Sequence, residues 1–238
     1  MGELPRLHAL IPAAGRSQRF GGAVPKQYAM LLGRPVLAHS IEALRRHPAV
    51  RGVTVVLAPD DPVFEDRLRP GFPDVGTAPG GESRARSVLN GLETIARSDP
   101  ACQWVLVHDA ARPCLGPDEL SRLIEQGAGA DDGAILAVPV RDTLKQADAA
   151  GRIERTVDRS LLWAAQTPQM FRLDDLVARL ADALAAGEEP TDEAGAMERS
   201  GRQPLLVEGC STNIKITGPG DLALAEFILR RRDEEAAS

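Results

Sequence analysis

No stretch of this 238-residue chain approaches the roughly 18 consecutive apolar residues of a membrane-spanning helix. The opening MGELPRLHALIP holds too short an apolar run for a secretory signal peptide, so a cytoplasmic location is expected. Cysteine is scarce. Cys102, Cys114 and Cys210 are odd in number and stand in no C-x-x-C spacing, which argues against a disulfide framework and a zinc site and leaves them as reduced packing residues. Positive charge is also in deficit. With 28 Lys and Arg against 34 Asp and Glu, the net charge of −6 gives no general attraction to nucleic acid, and any phosphate ligand must be held by a local cluster of cations. A small anionic substrate fits that balance better than a polymer. Neither G-x-x-x-x-G-K-[ST] nor G-x-G-x-x-G with an acidic residue about 20 positions on is present, which argues against a Walker ATPase and a dinucleotide oxidoreductase. No internal repeat and no linker divides the chain, so residues 1–238 read as one domain.

What is present begins with Leu7–Lys26. Leu7 to Ile11 is an apolar run, broken at Pro12-Ala13-Ala14-Gly15, with Arg19 four and Lys26 eleven residues beyond Gly15. A buried strand therefore empties into a small-residue loop with two cations. Small side chains at Ala13, Ala14 and Gly15 let amides approach a phosphate, Arg19 can fork onto two of its oxygens, and Lys26 is a compact charge. A triphosphate cradle is one reading; an ordinary strand-to-helix turn with solvated cations is the other.

Farther on, Pro35–His47 has the apolar spacing of a one-faced helix and Val53–Ala58 that of a strand buried on both faces, completing a β-α-β unit. Such alternation predicts an α/β fold with a mostly parallel sheet and ligands at the carboxyl ends of its strands. Residues 59–79 read as loop with a short helix near Phe64–Leu68. Gly80-Gly81-Glu82-Ser83 precedes a helix at Ala85–Ala96; it is either a pocket with free amides for the edge of a base, with Ser87 nearby, or a turn capped by Ser83. The strand Trp104–Val107 runs into His108-Asp109-Ala110-Ala111-Arg112-Pro113. Asp109 there is a helix cap or, beside the first loop, a ligand for Mg²⁺, which favours one or two carboxylates plus phosphate oxygens. His108 reads as structural. After the strand Ile135–Val138, the stretch 140–163 holds two alternating segments around Ala147–Gly151, a protruding β-hairpin with a cationic edge at Arg141, Arg155 and Arg159. Such a hairpin is marginal alone and is expected to pack on a second subunit, or else to fold over the site. Leu173–Ala186 and Asp192–Ser200, the latter with Thr191 as its N-cap, read as helices, Pro204–Glu208 as a strand. A last helix spans Pro219–Arg230, with the following arginines and acidic tail a frayed, solvated end.

Seven stretches in order, PAAG…R…PKQY, GGESRARSV, VHDAARP, PVRDT, TVDR…TPQ, TDEA and NIKIT…DLALAE, resemble the 2-C-methyl-D-erythritol 4-phosphate cytidylyltransferase family over almost the whole chain. The resemblance implies a Rossmann-like, GT-A type nucleotidyltransferase fold, a homodimer joined by the hairpin arm, and CTP and methylerythritol phosphate as substrates with Mg²⁺ as cofactor. It implies catalytic roles for Arg19, Lys26, Arg159 and Lys215, with Arg159 reaching in from the partner's arm. Nucleotide contacts are implied at Pro12, Ala13, Ala14, Gly15, Gly81, Glu82, Ser87 and Ala110; substrate contacts at Arg112, Thr143, Thr167 and Thr191; and a metal ligand at Asp109. Two positions depart from the family's pattern: Glu82 stands where Asp is frequent, and Thr212 where an acidic residue often precedes Asn-Ile-Lys, leaving Asp109 as the metal carboxylate. With the chain ending near Ser238, no fused cyclodiphosphate synthase domain is expected. A cytidylyltransferase for another polyol phosphate such as ribitol 5-phosphate is the neighbouring alternative, and a non-catalytic nucleotide-binding module on the same fold the more distant one.

Overall fold

The computed structural model describes residues 5–15, 25–59 and 61–236. Its sheet starts from β1 (Leu7–Pro12), in which Leu7, Ala9, Leu10 and Ile11 are all buried, the pattern of a strand covered on both faces. Strands β4 (Val50–Leu57) and β6 (Trp104–Val107) pair with β1 in parallel on its two sides, and β5 (Gly76–Pro79) extends the sheet beyond β4. Past β6 come β10 (Trp163–Arg172), β7 (Ala134–Pro139) and β11 (Leu205–Glu208), giving the order β11-β7-β10-β6-β1-β4-β5. Only β10 runs antiparallel to its neighbours, so the expected mostly parallel sheet is borne out.

Helices cover both faces. Leu7, Ala9 and Ile11 point to the side of α1 (Val36–Arg45) and α3 (Pro117–Gly127), whose Leu37, Ile41, Leu44, Leu120 and Leu123 complete that core. Leu10 and Val56 point the other way, to α2 (Arg84–Ser98), α4 (Leu173–Ala185) and α5 (Glu193–Arg199). α2 comes close to the sheet at Gly91, where an added Cβ would lie 2.5 Å from Leu10 Cδ1 and 2.8 Å from Val56 Cγ2. A smaller cluster seats α6 (Pro219–Ala236) through Ala225 against Leu31, Val36, Cys114 and Ile216.

Several expectations need correction. β5 lies in a stretch read as loop; as an edge strand of Gly, Thr, Ala and Pro it carries little apolar pattern. β10 shows no strand signal because Gln166, Thr167, Pro168 and Gln169 break its alternation, yet those residues sit where the register against β7 shifts between Ala165 and Gln169, a bulge that tolerates Pro. The N-cap of α5 is Asp192, whose carboxylate accepts from the Gly195 amide, rather than Thr191, which is exposed. α6 continues past Arg230, and its Arg232 is no frayed end: it donates to the carbonyls of Cys114 and Leu115 at 3.0 and 2.9 Å. All three thiols are free, as expected, but Cys210 is exposed rather than packed. The hairpin is present as β8 (Lys145–Ala147) paired with β9 (Ile153–Thr156), a separate two-stranded sheet with every residue exposed. Small strands β2 (Met30–Leu31) and β3 (Arg34–Pro35) form a second such pair. No helix of the described residues is long and apolar enough to cross a membrane.

Candidate active site

The chain turns from β1 toward β4 and β5 on one side and later returns to β6 on the other. Loops leaving the carboxyl ends of β1 and β6 therefore diverge around a crevice, where α/β sheets hold ligands. A cavity of about 450 Å³ opens there. Its walls bring together Pro12, Ala13, Ala14 and Gly15 after β1, Lys26 farther along the chain, Gly81, Glu82 and Ser87 before and within α2, Asp109 and Ala110 after β6, and Lys215. Arg19 lies outside the described residues.

The loop after β1 is held from behind. The Ala13 amide stays in the sheet, donating to Val56 O at 2.8 Å, while Gln27 Nε2 donates to Ala13 O at 2.7 Å and Gly15 O at 3.2 Å. Gln27 is buried in the same short 3₁₀ turn, Lys26–Tyr28, that presents Lys26. The turn before α2 bears out the Ser83 cap and corrects the reading of free amides. Ser83 caps α2 by accepting from the Arg86 amide, but the Gly80 and Gly81 amides are not free: they donate to Leu57 O and Ser87 Oγ at 2.7 and 2.9 Å. The Ser87 hydroxyl in turn donates to Ser83 O. Gly80 is obligatory, since a Cβ there would fall 2.5 Å from Ala14 Cβ, and so the turn before α2 rests directly on the loop after β1.

Beyond β6, His108 is fully buried and structural. Its Nε2 must donate to Arg112 O (3.0 Å), so Nδ1 accepts from the Thr167 hydroxyl (3.0 Å), whose oxygen in turn accepts from the Asp109 amide (3.0 Å). Burial pushes His108 down to about 4, which keeps this tautomer neutral. Thr167 thus faces inward, committed to the turn that carries Asp109. Asp109 is surrounded by cations: Lys215 Nζ is 2.8 Å and Arg112 Nε 3.5 Å from Oδ2, and Arg84 3.8 Å from Oδ1. Burial alone would push the carboxyl up, but Lys215, Arg84 and Arg112 outweigh it and hold it at about 2.

Lys215 arrives on a loop laced to the bulge of β10. Asn213 Nδ2 donates to Thr167 O (2.9 Å), Gln166 Nε2 to Cys210 O (2.9 Å), Arg112 to Asn213 O (2.7 Å), and the Ile216 amide to Ala111 O (2.8 Å). Arg112 is accordingly buried under the site and not in the cavity wall. Thr212 turns its hydroxyl to Cys210 Sγ. Arg159, Thr143 and Thr191 are exposed and do not line the cavity; Arg159 donates to Arg141 O on the arm.

Two residues in the wall had no reading from the sequence. Gln27 could have been noticed as a polar residue between Lys26 and an aromatic, but its burial carried no local signal. Arg84 looked like one charge among several in a helix start. In the structure it forks onto Glu193, donating to Oε1 at 2.8 Å and Oε2 at 3.2 Å, and Glu193 is fully buried. Burial raises the Glu193 carboxyl, with Arg84 working against that rise.

A family model described as 2-C-methyl-D-erythritol 4-phosphate cytidylyltransferase matches residues 7–231. The chain is 47% identical over 228 residues to the protein of that description from Vibrio vulnificus (strain CMCP6), covering 96% of each. To that of Xanthomonas campestris pv. campestris (strain 8004) it is 51% identical over 230 residues, covering 97% of this chain and 87% of the other. Among solved structures, a 4-diphosphocytidyl-2C-methyl-D-erythritol synthase superposes with a TM-score of 0.82 at 43% identity, covering 94% of this chain and 98% of its own. The 2-C-methyl-D-erythritol 4-phosphate cytidylyltransferase of Francisella tularensis does so with 0.78 at 34% identity, covering 93% and 99%.

Proposed function

The chain belongs to the 2-C-methyl-D-erythritol 4-phosphate cytidylyltransferase family and carries out CTP-dependent cytidylyl transfer to methylerythritol phosphate in isoprenoid biosynthesis; from that premise we propose how its residues divide the work. CTP lies with its triphosphate along Ala13–Gly15, with Arg19 and Lys26 against the phosphates, and its base and ribose against Gly81, Glu82, Ser87 and Ala110. Methylerythritol phosphate enters from the Lys215 side, with Arg112 and Thr167 buried behind that wall. Its phosphate monoester oxygen, already ionised at pH 7, attacks the α-phosphorus in line; the new P–O bond forms as the bond to pyrophosphate breaks and carries its electron pair away. No proton has to be removed, so no general base is needed. The work is electrostatic and positional: two anions must be held together while charge builds on the phosphoryl and leaving oxygens. The observation that carries this reading is the convergence of Lys26, Lys215 and Asp109 on one cavity whose described wall contains no histidine.

Asp109 fits Mg²⁺. Among the described residues no three His, Cys, Asp or Glu gather into a cage, and a cation taking one carboxylate plus phosphate oxygens and water suits the donor set. When bound it would supply positive charge to the phosphate oxygens. The arm completes the site from a second copy. Among the described residues strands β8 and β9 pair only with each other, Leu161 is 88% and Ile153 68% exposed, and a lone hairpin is marginal in water. Arg159 of one protomer then meets the methylerythritol phosphate bound by the other, and the homodimer works in the cytoplasm.

The test is pyrophosphate release from Mg²⁺·CTP with methylerythritol 4-phosphate and with ribitol 5-phosphate in parallel, using Lys26→Ala as blank. Turnover confined to methylerythritol phosphate is expected; turnover with ribitol phosphate alone would overturn the substrate assignment.

A further inference from the structure

Asp109 has two carboxylate oxygens and unequal neighbours. Oδ2 faces Lys215 at 2.8 Å and Arg112 at 3.5 Å, whereas among the described residues the cation beside Oδ1 is Arg84, at 3.8 Å, outside hydrogen-bond reach. Arg84 is instead forked on Glu193: one terminal nitrogen donates to Oε1 at 2.8 Å and the other to Oε2 at 3.2 Å, the pattern of an ionised carboxylate with a bidentate guanidinium. Glu193 is in turn anchored. It opens α5, whose start is clamped to β10 by Gln169, which accepts from the Ala194 amide at 2.8 Å and donates to Asp192 at 2.9 Å. Glu193 itself has no exposed surface and does not line the cavity, so it cannot touch substrate.

We infer that Glu193 is a positioning residue that acts through Arg84: as a buried counter-ion it draws the guanidinium off Asp109 and keeps Oδ1 open to a divalent cation. Without that pull, Arg84 swings the remaining distance onto Oδ1, and both oxygens of Asp109 are sealed by cations. The inference rests on Asp109 being the metal carboxylate.

The sign of the effect separates this role from a merely structural ion pair. Glu193→Gln keeps the shape but offers one acceptor in place of two, so it should weaken Mn²⁺ binding about 5- to 10-fold. The double variant Arg84→Gln with Glu193→Gln removes the competing cation and leaves a neutral pair, and should bind Mn²⁺ at least as tightly as the wild type. The readout is water-proton relaxation enhancement in Mn²⁺ titrations at saturating CTP without polyol phosphate, with thermal unfolding run alongside. An Asp109→Asn control reports on the premise: if it binds Mn²⁺ like the wild type, the metal assignment falls and takes the inference with it. If Asp109→Asn loses the metal but Glu193→Gln matches the wild type, or the double variant binds more weakly than the wild type, the counter-ion role alone is overturned. Should Glu193→Gln fail to fold, the double variant still decides.

Discussion

Gln27 and Lys26 are neighbours in one short turn with different duties: Lys26 faces the cavity, and Gln27 uses its amide to hold two carbonyls of the loop opposite. Gln27→Met keeps the volume and removes both donors. It should lower kcat/KM for CTP roughly 10-fold or more, ~1.5–3 kcal/mol, since the buried Ala13 carbonyl loses its Gln27 donor and the Gly15 end of the loop its tether. Steady-state kinetics beside a melting curve checks this, and a loss of stability with unchanged kcat/KM would reduce Gln27 to a packing residue. Lys26→Ala should instead lower kcat by roughly 10²–10³ with a smaller change in KM for CTP, as removal of a transition-state cation does; an effect on KM alone would deny it that role. His108 sets a pH dependence. Its folded value, about 4, lies below the ordinary 6.5, so the folded state binds fewer protons between those limits and stability falls as pH drops through them. The loss should approach about 3 kcal/mol and level off near pH 4, where Asp109, held at about 2, begins to contribute its own. Urea midpoints that stay level from pH 6.5 to 4.5 would contradict the neutral clamp.

Elements were legible where one periodicity ran uninterrupted. β6 follows from its unbroken apolar run, buried on both faces, and the helices α1, α2 and α4 follow from their apolar spacing because each buries one face against a single sheet surface. β10 did not follow, since its central residues serve the bulge, the His108 clamp and the Lys215 loop, and polar duties erase strand alternation. Helix α2 offers the clearest test of packing at this scale. In an exposed helix Gly→Ala is favourable, but a methyl at position 91 would enter the space of Leu10 and Val56, both buried in the core. Overpacking outweighs propensity, and Gly91→Ala should cost about 1–3 kcal/mol in a denaturation experiment. A more stable variant would show that α2 can lift off the sheet at little cost.

For the whole molecule, the proposed homodimer makes each active site a composite, with Arg159 donated across the interface. Lys26→Ala and Arg159→Ala protomers should each be poorly active alone. After denaturation and remixing, half the molecules pair unlike protomers and each of these has one intact site, so activity should recover to about a quarter of wild type. No recovery in a mixture that sedimentation shows to be dimeric would place Arg159 in its own protomer's site or in none.

What the amino-acid sequence determined by itself was local: the β-α-β alternation, the small-residue loop with its lysine, the carboxylate at a strand end, the hairpin, and through seven collinear stretches the family. Those features are written in spacing and residue type, which short-range sterics and hydrophobic periodicity translate directly into elements. What only the tertiary structure decided was which of them meet. Strand order put the loops after β1 and β6 on either side of one crevice, the bulge of β10 brought Lys215 to Asp109, and the fold joined Arg84 to Glu193, more than a hundred residues later, in a buried fork. Such contacts depend on long-range packing, in which a residue's partner is set by topology and burial, and neither is encoded in its own neighbourhood.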